Sequence, residues 1–210
     1  MELVFGLIIL IFSIIIHEVM HGVVANSLGD PTARLAGRLT LNPIPHIDLF
    51  GSIIIPGLLV LTNAGILFGW AKPVPYNPYN LRGGKWGEGA VAFAGVGANF
   101  LLAIIFGLLI RFGTGALPAP FIELAAVVVI YNLMLGIFNL IPFPPLDGSK
   151  VLAALLPYHM SRSFIDFGER IASFGLAGLL IFFLVFGYLF FPILSNVVSF
   201  FFGLLTGIAG

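Results

Sequence analysis

Residues 17–21 read HEVMH, and they stand inside an otherwise apolar stretch, LVFGLIILIFSIII before them and GVVANSLG after. Two histidines four positions apart share one face of a helix. His17 and His21 can therefore each aim an imidazole nitrogen at one metal ion with Glu18 beside it, a spacing used by zinc hydrolases. The competing structural account is a buried histidine pair bonded to neighbouring helices, with Glu18 in an ion pair. Ionisable groups are expensive in hydrocarbon and are retained there chiefly for function, so the metal-site account is preferred.

A catalytic zinc site takes three protein ligands and leaves a fourth position for water. The chain has no Cys, so the third ligand comes from His, Asp or Glu. The candidates are Asp30, His46, Asp48, Glu88, Glu123, Asp147, His159, Asp166 and Glu169. Glu123 opens its helix on the opposite side of the membrane. Asp166 and Glu169, among Arg162 and Arg170, suit a solvated surface, and His159 beside Pro157 and Tyr158 suits an interface. His46 and Asp48 fit loop packing better than ligation. Asp147 differs from all of these. In FNLIPFPPLDGSK, residues 138–150, an apolar helix runs into Pro142, Pro144 and Pro145 and then an Asp-Gly pair. Prolines break the helix and free carbonyls and a carboxylate at membrane depth.

The elements that must carry these groups are membrane helices. Of 210 residues, 60% are hydrophobic and only 9% are charged, against roughly 25% charged in a soluble domain. The composition implies an all-α polytopic membrane protein, and the zero net charge offers no basic surface for nucleic acid. The first apolar run is expected to be mature structure, because Glu2 replaces a basic leader and no small-residue cleavage pattern follows. Apolar runs long enough to cross a ~30 Å core occupy residues 3–28, 90–112, 121–140 and 171–191. Two weaker runs, 51–70 and 193–208, bring the total to about five to six hydrophobic segments. A small β hairpin between 29 and 50, or an edge strand within the Pro-rich residues 69–89, is expected between the first two full crossings.

Charge placement orders these segments. If residues 51–70 dip into the bilayer and return, Arg34, Arg38, Lys72, Arg82, Lys85, Lys150, Arg162 and Arg170 share one side and only Arg111 lies opposite, as basic residues retained in the cytoplasm require. With that re-entrant segment the helices beginning near 3 and 121 run parallel, so His17, His21 and Asp147 all fall toward the cytoplasmic end. A full crossing would put Asp147 on the wrong side. Ligand geometry and charge bias thus prefer the same topology.

HEVMH together with Asn139, Pro142, Pro144, Leu146, Asp147 and Gly148, an N-x-x-P-x-P-x-L-D-G pattern, resembles the signature of the site-2 protease family of intramembrane zinc metalloproteases, in its short form without PDZ or CBS domains. GRLTLNPIPHID, GWAKPVPYNPYNLR and the GVGAN element, Gly95 to Asn99 with Val96 where the family carries Pro, extend the similarity over about residues 10–160. The resemblance implies that His17, His21 and Asp147 bind Zn2+, that Glu18 is the catalytic base, and that Asn139 positions the substrate backbone or the oxyanion. Asn99 is expected to serve as a helix cap or interhelical bond rather than at the site.

The chain is expected to form a single integral-membrane domain over 1–210, with a catalytic core of about 1–160 and accessory C-terminal helices from 161 to 210. Its expected reaction is hydrolysis of peptide bonds within transmembrane helices of single-pass membrane-protein substrates, as in regulated intramembrane proteolysis. The expected setting is the lipid bilayer of a prokaryotic plasma membrane, with the site opening to the cytoplasm. The alternative is a non-enzymatic membrane zinc-binding protein or metal carrier. A carrier needs ionisable residues along a path through the membrane, and the outer half offers little beyond Arg111 and Glu123. Gly203 and Gly207 form a G-x-x-x-G pair that fits either packing within the chain or a homo-oligomer.

Overall fold

In the computed structural model, which describes residues 2–62 and 70–208, the architecture is all-helical. Helix α1 spans Glu2–Ser27, a largely apolar run with no proline to stop it. The short α2, Thr32–Leu35, follows, then a 3₁₀ turn at Ile44–His46 and a π-helical turn at Leu49–Ile54 that leads into α3, Ile55–Leu61. The long helices are α4, Lys85–Gly113, and α5, Ala119–Asn139. The short α6, Asp147–Leu155, the amphipathic α7, Tyr158–Ala172, and α8, Gly175–Thr206, complete the chain.

Helix ends follow local chemistry. α4 begins after Gly83 and Gly84, both at positive φ, where a side chain would be strained. α5 starts just after Pro118 and stops at Asn139, three residues before the first proline of PFPP. A Cβ at Gly148 would collide with the Leu140 carbonyl oxygen. Only glycine lets the start of α6, and with it Asp147, fold back against the end of α5.

α1, α4 and α5 are each long and apolar enough to cross a membrane. Their outward faces carry large apolar side chains, among them Phe5, Ile8 and Phe12 on α1 and Leu101, Ile105 and Leu108 on α4, surfaces suited to lipid. Inside, Ala103 and Ile110 of α4 meet Ala125, Val129 and Leu133 of α5 and Leu194 and Val198 of α8. Lipid tails are as apolar as leucine, so close packing rather than water exclusion holds such helices together, and small residues permit it. α1 lies across α4 and α5 and is antiparallel to α4: His17 bonds Asn99 while His21 bonds Val91. α1 and α5 run parallel, with Ser13 beside Asn132 and the metal-site residues near the ends of both.

Two expectations need correction. Among the described residues there is no β-strand, so neither the hairpin nor the edge strand forms. The 70–77 segment forms no ladder, because Pro73 and Pro75 lack N–H groups and Arg38 takes two of its carbonyls, Nη2 donating to Lys72 O at 2.7 Å and Pro73 O at 3.4 Å. The runs 171–191 and 193–208 are not separate segments: α8 continues through Pro192 as one helix. Its C-terminal end lies beside the end of α4, where Arg111 Nη1 donates to Leu204 O at 2.7 Å. Gly207 is the left-handed cap of that helix, a role internal to the chain.

Residues 63–69 of the expected re-entrant run lie outside the described residues. The ends of that run meet: Trp70 N donates to Gly51 O at 3.1 Å, and Ser52 Oγ donates to Trp70 O at 2.9 Å.

Candidate metal centre

The candidate ligands come from two elements, α1 and α6. His17 and His21 stand one turn apart on α1, buried at 6% and 8% exposure, and Asp147 opens α6. Asp147 Oδ2 lies 3.0 Å from His17 Nε2 and 3.3 Å from His21 Nε2, and the two Nε2 atoms are 3.1 Å apart. Ligand atoms about 2.1 Å from a tetrahedral zinc would be separated by about 3.4 Å, so the triangle is close to one face of such a site.

Proton positions strengthen the fit. His21 Nδ1 is 2.7 Å from Val91 O, and a carbonyl only accepts, so Nδ1 carries the proton and donates. His17 Nδ1 is 2.6 Å from Asn99 Oδ1 and donates likewise. In the neutral imidazoles, the form that binds a metal, both Nε2 atoms are then bare lone pairs facing each other and a carboxylate oxygen. Three electron donors at this separation with no proton between them repel unless a cation sits among them, and a His/His/Asp set suits zinc.

Helix α4 is shaped around the imidazoles. Val91, Gly95 and Asn99 form an i, i+4, i+8 stripe facing Ser13, His17 and His21 of α1. A Cβ at Gly95 would come within 2.6 Å of His21 Cε1 and Nε2 and 2.8 Å of His17 Cε1. The imidazoles occupy the space that any side chain at 95 would need.

A cavity of about 210 Å³ is lined by Glu18, Asn139 and Lys150 as well as His17, His21 and Asp147. Glu18 Oε2 accepts the Val74 N–H at 2.9 Å. Because prolines flank Val74, this is the only backbone N–H that residues 73–75 possess. Asn139 Nδ2 donates to Leu135 O at 3.0 Å, which leaves its second N–H unspent. At the mouth, Lys150 Nζ donates to Tyr76 Oη at 2.8 Å, and Tyr76 Oη donates to Glu88 Oε1 at 3.4 Å. Burial would lower the Lys150 pKa, but Tyr76, Asp147 and Glu88 outweigh it and push it above the ordinary value, so the ammonium stays charged.

The structure brings His17, His21 and Asp147 together and sets Glu18 and Asn139 on the same cavity wall. The remaining candidate ligands serve elsewhere. His46 Nε2 bonds Thr40 O, Asp48 caps the π-helical turn through Gly51 N, and Asp30 anchors the loop at 77–80. Asn99 makes the interhelical bond expected of it, yet its partner is the candidate ligand His17. Ser13 and Asn132 were not singled out by sequence; the available signal was that Ser13 precedes His17 by one helical turn.

A helical membrane protein with a His/His/Asp centre and an adjacent glutamate belongs to the metallohydrolases that work at a bilayer. Residues 112–185 match the model of peptidase family M50. The chain is 41% identical over 155 residues to "Putative zinc metalloprotease YwhC" of Bacillus subtilis (strain 168), covering 70% of this chain and 67% of that protein. It is 30% identical over 152 residues to "Putative zinc metalloprotease Rip3" of Mycobacterium tuberculosis, covering 72% of this chain and 30% of the relative. To "Putative zinc metalloprotease Rip2" of Mycolicibacterium smegmatis it is 30% identical over 143 residues, covering 68% of this chain and 53% of the relative. No solved structure matches. The chain belongs to peptidase family M50: it is a zinc-dependent metalloprotease of the site-2 type and a membrane protein.

Proposed function

We propose that this metalloprotease hydrolyses peptide bonds inside the transmembrane helices of single-pass membrane proteins, from a zinc site that opens toward the cytoplasm of a prokaryotic cell. His17, His21 and Asp147 are the zinc ligands, Glu18 is the base, and Asn139 positions the substrate. The observation that carries this assignment is the convergence of two imidazole nitrogens and a carboxylate oxygen beside Glu18, in a cavity where apolar helices end. His17 lies about 21 Å along α1 from Leu3, roughly two thirds of the way across a ~30 Å hydrocarbon core. Eight of the nine basic residues flank the same ends of the helices under this topology, which favours a cytoplasmic opening.

Bound zinc supplies a more acidic water and polarises the scissile carbonyl. Glu18 takes a proton from the attacking water and passes it to the leaving amine as the C–N bond breaks. The Val74 N–H fixes Oε2 of Glu18 and leaves Oε1 for that exchange. The second N–H of Asn139 is available to the carbonyl oxygen as it gains negative charge. A helical substrate must unwind to expose its peptide bond, because its carbonyls are otherwise bonded within the helix. The chain serves as one domain, with residues up to about 160 holding the catalytic parts and the remainder accessory.

The test is Glu18→Gln in purified protein with a reporter transmembrane helix. The expected result is zinc bound as in wild type with cleavage reduced at least about 100-fold, the scale of a positioned acid–base group. Full cleavage by this variant would sink the assignment. Zinc transport across vesicles by a wild type that cleaves nothing would favour the metal-carrier alternative.

A further inference from the structure

Behind His17 lies a line of polar side chains that hydrolysis itself does not use. Asn99 and Asn132 are wholly buried and Ser13 is 3% exposed, all among apolar helix faces. Burying such groups is costly unless their bonds are made, and here the bonds connect in series. Asn132 Nδ2 donates to Val128 O at 2.9 Å and to Ser13 Oγ at 2.9 Å. A main-chain carbonyl only accepts, so the orientation of the Asn132 amide is settled and its Oδ1 faces Asn99. Asn99 Nδ2 donates to that Oδ1 at 2.8 Å and approaches Ser13 O at 3.4 Å. Asn99 Oδ1 is therefore turned to His17 Nδ1, 2.6 Å away.

We propose that Ser13, Asn132 and Asn99 are positioning residues that lock His17 in the tautomer whose Nε2 is free to bind metal. The two ligand histidines differ in this respect. His21 is held by the main-chain oxygen of Val91, which no side-chain change removes, whereas the tautomer of His17 depends on an amide that can turn over. Without Asn132, the Asn99 amide is free to present Nδ2 to His17. That N–H favours the opposite tautomer, with a proton on Nε2 where the metal belongs. Zinc affinity thus depends on a residue of α5 that touches neither metal nor ligand.

This inference rests on the assignment of His17 as a zinc ligand. It is tested by zinc affinity of the detergent-solubilised full chain, measured by competition with a chromophoric chelator. Asn99→Leu and Asn132→Leu are expected to weaken zinc binding about 10- to 100-fold, the usual effect of removing a partner behind a ligand. Asn99→Asp keeps an acceptor for the Nδ1 proton and is expected to stay within about 3-fold of wild type. A purely structural role predicts the reverse order, because the aspartate buries a charge. Ser13→Ala deletes one atom at the end of the series and guards against misfolding of the leucine variants; a loss of about 3-fold is expected. Affinity of Asn99→Asp as low as that of Asn99→Leu, or Ser13→Ala equal to wild type, overturns the proposal. A wild type without zinc refutes the metal centre as well, whereas zinc held equally by wild type and Asn99→Leu refutes only the positioning role.

Discussion

Gly95→Ala is the substitution that separates the metal centre from the rest of the fold. The added methyl carbon would stand 2.6 Å from His21 Cε1 and Nε2 and 2.8 Å from His17 Cε1, where ordinary contact begins near 3.4 Å. Relief therefore requires a displacement of about 0.8 Å, shared between α4 and two imidazoles that are already bonded to Asn99 and Val91. Metal–ligand distances tolerate only about 0.2 Å. A comparable overpacking elsewhere in a helix bundle costs about 1–3 kcal/mol, which a protein of this size can absorb. The expected phenotype is a folded chain with zinc affinity lowered at least about 10-fold and cleavage lowered in step. Thermal unfolding followed by circular dichroism, zinc content by elemental analysis and reporter cleavage together read all three. Gly95→Ala with wild-type zinc content and activity would refute the claim that α4 is moulded to the ligand imidazoles.

Val74→Pro removes the N–H that Glu18 accepts while leaving the zinc ligands untouched. Losing one such charge-assisted bond is worth about 1.5–3 kcal/mol, so cleavage should fall at least about 10-fold with zinc retained; unchanged cleavage would show that Glu18 needs no such tether. Asp30, fully buried just beyond α1, gives a pH signature. Burial would raise its pKa, but bonds from Thr32, Asn80 and the Asn77 N–H outweigh that and hold it below the ordinary carboxylate value. A depressed folded-state pKa contributes stability that is present above the unfolded value near 3.8 and lost as pH falls through the folded one. Asp30→Asn should therefore destabilise the protein by about 2 kcal/mol at neutral pH and flatten its acid-induced unfolding below about pH 4; parallel denaturation curves at pH 7 and pH 3 check this. Gly148→Ala pushes a methyl into the Leu140 carbonyl and should dislodge Asp147, halving or worse the zinc bound at low micromolar metal.

How far the sequence alone reaches is visible residue by residue. HEVMH declares its geometry because the helical repeat puts His17 and His21 on one face whatever surrounds them. PFPPLDG announces a broken helix because proline lacks the donor that a helix needs. Apolar length specified α1, α4 and α5, and the placement of basic residues anticipated that α1 and α5 run parallel. Regularities of this kind are written along one chain segment. The failures share the opposite property. A strand in residues 69–89 was credible from its alternation, but whether a backbone pairs depends on what else takes its carbonyls, and Arg38 took them. The C-terminal runs looked separate at Pro192, which the long α8 accommodates. Asn99 looked like an ordinary interhelical amide, and Ser13 and Asn132 looked like nothing at all. Their meaning lies in the register of α1 against α4 and α5, which is set by Gly95, Gly136 and other small residues acting at once. Sequence by itself determined that HEVMH lies toward the C-terminal end of the first helix with both histidines on one face. Only the tertiary structure decided which amide holds His17 and which N–H holds Glu18, because α4 and the 70–77 loop bring Asn99 and Val74 to them from far along the chain.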